Sequence, residues 1–191
     1  MPEPAEAALH DRYARAMDGV ATSVAVVTTD GPAGRFGQTV RTVAGVTDEP
    51  PTLLACLDGR GPLAEAIAGN GAFRVNHLAV GHDRVSDAFA EQRSDGARHD
   101  GFACGDWAED APSGPELRDA LASFECRVVG THDVGTHVVV IGEVRDVSST
   151  PGGEPLLSLE RVYRRVEELP LSVFPDFPPA HPPYERTRNA R

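Results

Sequence analysis

Clusters of glycine, proline and aspartate cut this chain into short apolar runs rich in β-branched residues. None of these runs is long enough for more than a strand or a short helix. Ser23-Val-Ala-Val-Val-Thr-Thr29 reads as a strand, followed by turn chemistry at Asp30-Gly-Pro-Ala-Gly34. A second strand is expected from Phe36 to Val46, broken by Glu49-Pro50-Pro51. Thr52–Leu57 is continuously apolar, as in a buried strand, and Ala72–Leu78 is another. Phe124–Asp133 and His137–Ser148 flank Val134-Gly135-Thr136 and read as a long hairpin. A last strand spans Pro155–Arg165.

Helices fill the gaps. Leu9, Tyr13 and Met17 recur every fourth residue, which predicts a helix over Glu6–Asp18 stopped by Gly19. Pro62 suits the first turn of a helix to Ala68, and His82–Ala90 carries Val85 and Phe89 on one face. Ser113-Gly-Pro-Glu116 has the capping-box spacing and predicts a short helix through Leu121. Glu91–Trp107 is polar and reads as a loop. The pattern gives three parts: an N-terminal helix over 1–19, one β-rich domain over 20–169, and a proline-dense tail over 170–191. Many strands with short helices between them predict a mainly β fold of the small-barrel type.

Charge and composition narrow the function. The 191 residues carry a formal net charge of -11, which argues against nucleic acid and anionic membranes as partners. The three cysteines are widely spaced without a CxxC pair, so neither disulfides nor a zinc knuckle is expected. Cys56 and Cys126 read as small core residues. Among the seven histidines no spacing suggests a metal site, so no metal is expected. The N-terminus lacks a basic stretch followed by an apolar one, which predicts a cytoplasmic protein without a signal peptide.

Generic catalytic motifs are absent: no GxSxG, HExxH, Walker loop or GxGxxG occurs. Gly59-Arg60-Gly61-Pro62 stands before a helix start, where free N–H groups and a guanidinium could cradle a phosphate. An ordinary strand-to-helix turn with a solvated arginine fits the fragment equally well. His137 opens a strand and, taken alone, reads as a turn histidine.

The order of motifs resembles the short-chain flavin reductase family, the reductase components of two-component flavin monooxygenases. The family's P-T-G-V-x-V-V-T-T strand corresponds to Ala21-Thr-Ser-Val-Ala-Val-Val-Thr-Thr29. Its G-x-T-x-S-S-F-x-S-V strand ending in D-P-P corresponds to Gly37–Val46 and Asp48-Glu-Pro-Pro51. Leu54-Ala-Cys-Leu-Asp58, Phe73-Arg-Val-Asn-His-Leu78, Val85-Ser-Asp-Ala-Phe-Ala90, Phe124-Glu-Cys126, Gly135–Val144, Pro155-Leu-Leu157 and Tyr163-Arg164 follow in the family's order.

The resemblance implies an FMN-binding split β-barrel, Greek-key-like and homodimeric. It implies an NAD(P)H:flavin oxidoreductase that passes hydride from NADH or NADPH to FMN or FAD and supplies reduced flavin to a partner monooxygenase. Carried over by position, Gln38, Thr39, Val40, Arg41 and Thr42 line the flavin ring. Cys56, Leu57, Asp58, Gly59, Arg60 and Gly61 hold the ribityl-phosphate side. Asn76, His77 and Tyr163 are further cofactor-binding positions, and His137 falls on the nicotinamide side as the catalytic residue. The chain departs from the family at Arg41-Thr42, where a serine pair is usual, and at Asp58–Leu63, where the phosphate-binding hydroxyls are missing. Arg41 and Arg60 stand as their cationic replacements. Three alternatives stand beside this reading: a flavin-binding electron carrier, a pathway enzyme of the same fold with an altered ligand site, and a structural or interaction protein with a dead site, against which His137 and Asn76 being in place argue.

Overall fold

The computed structural model describes residues 4–90, 101–111 and 113–167, with side chains from residue 8 onward. The elements in chain order are α1 (Pro4–Asp18), β1 (Thr22–Ser23), β2 (Ala25–Thr29), β3 (Phe36–Val40), β4 (Val43–Asp48) and β5 (Pro51–Asp58). Then come α2 (Leu63–Asn70), β6 (Ala72–His77), α3 (Asp83–Ala90), a 3-10 turn at Gly101–Ala103, β7 (Trp107–Ala108) and β8 (Glu116–Leu117). The chain closes with β9 (Ala122–Val134), β10 (His137–Ser149), β11 (Leu157–Leu159) and β12 (Val162–Arg164).

One antiparallel sheet of seven strands, ordered β3-β2-β6-β9-β10-β5-β4, forms the body. Its two outermost strands, β3 and β4, are consecutive in the chain and joined only by Arg41 and Thr42. A two-residue link cannot span a flat sheet of this width, since n residues reach at most about 3.5 Å each. The sheet therefore curls until its edges meet, and β3 lies against β5. The register shows the stagger that curling requires. Followed across from Val40 through Ala25 and His77, it reaches Ala122, the start of β9. Followed from Val43 through Ala55 and Val140, it reaches Thr131, near the far end of β9. No strand ladder joins β3 to β4, so the barrel stays split along that seam.

The core has two parts because β2 is buried on both faces. Ala25 and Val27 point into the curled sheet with Val40, Leu57, Ile67, Phe73, Val75 and Val140, under the lid formed by α2. Val24 and Val26 point outward to Leu78, Val85, Trp107, Leu117 and Leu156. Strand β2 is therefore a run of apolar and threonine residues without alternation, as a two-sided strand must be. Gly71, left-handed at φ 73°, ends α2.

Three expectations need correction. The single strand over Phe36–Val46 is two strands, because the chain changes sheet edge at Arg41-Thr42. The helix after Ser113 does not form. Ser113 and Gly114 have φ of 70° and 126°, outside the helical region, and a Cβ on Gly114 would lie 2.7 Å from Thr29 Cα. Glu116 does not cap a helix; it accepts a hydrogen bond from Ser148 and pairs with Arg74 Nη1 at 3.2 Å. The strand over Pro155–Arg165 is a small hairpin, β11 and β12, turned by Glu160 and Arg161 at φ 54° and 61°. Residues 91–100 of the polar loop and the proline-dense tail lie outside the described residues. Among the described residues no helix is long and apolar enough to cross a membrane.

Candidate functional site

The seam between the sheet edges is where the expected site residues gather. Strand β3 leads Gln38, Thr39 and Val40 to it, and Arg41 and Thr42 cross it, both exposed. Thr42 C=O accepts from Cys56 N–H at 3.0 Å, which ties the link to β5. On the other side of β5, His137 is paired with Asp58, Val138 with Leu57 and Val139 with Cys56. Arg41, Thr42, the Cys56–Gly61 segment and His137 therefore meet at one end of the barrel.

The loop at this end is built around a carboxylate. Asp58 Oδ1 accepts from Arg60 N–H at 2.9 Å and from Arg60 Nε at 2.9 Å, and Arg60 Nη2 donates to Asp58 Oδ2. These bonds hold the Asp58 carboxyl down at about 2, with His137 adding a smaller pull in the same direction. Gly59 N–H donates to Thr136 C=O at 2.9 Å, and a Cβ there would come within 3.2 Å of that oxygen. A side chain at this position would press that oxygen back by a few tenths of an ångström, so the bare backbone favours this close packing of the loop on the β9–β10 turn. The exposed His137 ring has its Nδ1 2.9 Å from Thr136 Oγ1. Cys56 is half-buried and its thiol is pushed up by that burial, so it is protonated at neutral pH.

Other expected residues serve different neighbourhoods. Leu57 is a core side chain and meets the seam only through its backbone. Tyr163 reaches α3, where its hydroxyl bonds to Ser86 Oγ at 2.9 Å and donates to Asp87 Oδ1 at 2.6 Å. Burial and the Asp87 carboxylate raise its pKa. Ser86 C=O accepts from Thr39 Oγ1 at 2.6 Å, so α3 joins Tyr163 to strand β3. Ser86 and Asp87 are not among the expected site residues, although both lie in the Val85–Ala90 motif that follows the family's order. His77 packs edge-on against Phe124 at 5.8 Å, and desolvation lowers its pKa.

Asn76 lies away from the seam. It is fully buried; its Oδ1 accepts from Leu117 N–H and Ser123 Oγ, both at 3.0 Å, and its Nδ2 faces Val26 and Pro115 carbonyls. Among the described residues no group of three or more His, Cys, Asp and Glu side chains is placed to hold a metal.

A family model described as the flavin reductase like domain matches residues 17–167. The chain belongs to this family. A relative from Ancylobacter novellus, named FMN reductase (NADH) RutF, is 40% identical over 166 residues, covering 87% of this chain and 90% of its own. Among solved structures, the styrene monooxygenase flavin reductase of Pseudomonas putida S12 is 27% identical with a TM-score of 0.71, covering 84% of this chain and 99% of that one. A nitrilotriacetate monooxygenase component B homolog from Mycobacterium thermoresistibile is 28% identical with a TM-score of 0.76, covering 90% and 96%. These matches bear out the resemblance read from the motif order and the split-barrel fold expected from it. This flavin reductase-like domain is an oxidoreductase domain.

Gln38 Oε1, on the strand that leads to the seam, is buried and has no hydrogen-bond partner among the described residues. Its register partner is Val27, on the face that points into the curled sheet, and a buried acceptor without a donor is costly. Strand β3 also has a free edge, because the sheet ends there.

Proposed function

We propose that this protein is an NADH:flavin oxidoreductase acting on FMN or FAD, and that it passes reduced flavin to a flavin-dependent monooxygenase. The observation that carries this reading is the seam, where the Arg41-Thr42 crossing, the Cys56–Gly61 segment and His137 meet beside the free edge of β3. The NADH-dependent FMN reductases among its relatives support the same chemistry, and the names of structural neighbours support a monooxygenase as recipient. The Cys56–Gly61 segment holds the ribityl-phosphate side, and Gln38–Thr42 hold the ring edge. Bound flavin supplies the acceptor for the hydride leaving the nicotinamide, which departs as NAD+.

The protein's own contribution is placement and exclusion of water. Backbone and side chains of β3 fix the plane of the ring, α3 braces that strand through Ser86, and His137 stands on the open side to orient the nicotinamide. No protein nucleophile is required. Exposed apolar side chains on the long β9–β10 arm, Val129, Val134 and Val147, and the Leu9, Tyr13 and Met17 stripe of α1 support a homodimer. Dependence on NADH fits a cytoplasmic protein.

The test is NADH oxidation followed at 340 nm with FMN, FAD and riboflavin in turn. Flavin-dependent turnover is expected; flavin binding without NADH oxidation would favour the electron-carrier reading.

A further inference from the structure

The loop at the seam already contains an anion. Asp58 takes up the Arg60 backbone N–H, its Nε–H and one Nη2–H, which are the donors that a phosphate bound at such a turn would use. The two remaining loop N–H groups are also engaged, Gly59 with Thr136 C=O and Gly61 with Asp58 C=O at 3.3 Å. Arg60 is exposed, whereas the Asp58 side chain is mostly covered. The loop therefore presents a neutral ion pair rather than a cationic cradle, in a chain of net charge -11.

We propose that Asp58 is a specificity-determining residue that cancels the charge of Arg60, so that the protein recognises flavins by their ring and discriminates little for or against the phosphate. This rests on the flavin reading above and names the substrate class of that site: flavins with or without phosphate, riboflavin included. A neutral pair attracts an incoming phosphate far less than a lone guanidinium would, and the ligand must share or displace an internal carboxylate to take the donors Arg60 gives to Asp58. A product that has to leave for another enzyme gains from this weak grip.

The inference predicts a charge pattern across four proteins: the unaltered chain, Asp58→Asn, Arg60→Gln and the double variant. The measurement is the ratio of the riboflavin dissociation constant to that of FMN, from flavin fluorescence titration without nicotinamide at low ionic strength. In the unaltered protein the ratio should lie within about threefold of one. Asp58→Asn leaves a net positive loop and should raise it about fivefold. Arg60→Gln leaves a net negative loop and should lower it by about the same factor. The double variant should return to the unaltered value, and the differences should shrink at high salt. An unchanged ratio in Asp58→Asn overturns the proposal. So does a lowered one, which would make Asp58 the residue that holds Arg60 onto the phosphate. NADH oxidation by the unaltered protein is scored separately: its absence with every flavin defeats the reductase reading, while the binding ratios still decide the role of Asp58.

Discussion

Two polar regions of this barrel are built on opposite terms. At the solvent-facing end of the seam the side-chain bonds are local: Asp58 with Arg60 two residues on, and Thr136 with its neighbour His137. Under the 113–117 segment they are long-range. Arg74 Nη2 reaches Glu125 at 3.0 Å and its Nη1 reaches Glu116, while Asn76 binds Leu117 and Ser123 across the sheet. Arg74 and Asn76 are 2% and 0% exposed, whereas Arg41, Arg60 and His137 face solvent. Polar groups tied across the fold have their bonding capacity used by the fold itself. Groups tied to a chain neighbour keep their shape without the rest of the protein and leave donors facing outward. The first kind specifies structure, the second offers a site.

That contrast can be broken by mutation. The largest effect is expected from Arg74→Ala, which strands Glu116 and Glu125 beside a buried void. Loss of one partner of a buried ion cluster costs about 3–5 kcal/mol, readable by urea unfolding; a cost under about 1 kcal/mol would show the cluster to be dispensable. Asn76→Ala should cost about 2 kcal/mol by the same measurement, because Leu117 N–H loses its acceptor within the core. At the seam, His137→Ala should lower kcat/KM for NADH about tenfold, equivalent to about 1.4 kcal/mol of transition-state stabilisation. It should leave the thermal midpoint in place; a lowered midpoint with an intact rate would move His137 to the structural class.

The smallest effect concerns His77. Its pKa is depressed from 6.5 by burial. Below pH 6.5 the unfolded chain takes up a proton that the folded protein refuses until a lower pH. Stability from this residue is therefore complete above 6.5 and is lost as pH falls toward the depressed value. His77→Phe should flatten the fall of the thermal midpoint over the first pH unit below 6.5. An unchanged slope would mean that other groups carry the acid sensitivity.

Much of this was legible beforehand where the cause is local. Val134-Gly135-Thr136 between two β-branched runs specifies a tight hairpin, and the structure turns at Gly135 and Thr136 with Gly135 at φ 58°. Leu63–Asn70 starts beside Pro62 as expected, and runs past the expected Ala68 to end at Gly71. The order of motifs was enough to reach the family. The proposed site was expected as a set of segments, and of these the Arg41-Thr42 link, the loop after β5 and His137 do converge.

The chain by itself therefore determined most of the strands and the hairpin turn at Gly135, because turn chemistry and hydrophobic runs act within a few residues; it did not mark the turn at Glu160-Arg161. Only the tertiary structure decided that Arg41-Thr42 cross from one sheet edge to the other, since that depends on the curl of seven strands. It also decided that Ser113–Leu117 forms a turn and a short strand instead of a helix: the Pro115 carbonyl accepts from Thr28 and Asn76, and these long-range bonds outweigh a local capping pattern. It separated Asn76 from Arg60 for the same reason. A polar side chain carries no mark in the sequence of whether its partner lies two residues away or across the barrel, and burial among distant partners is what makes one a structural bond and the other a place for a ligand.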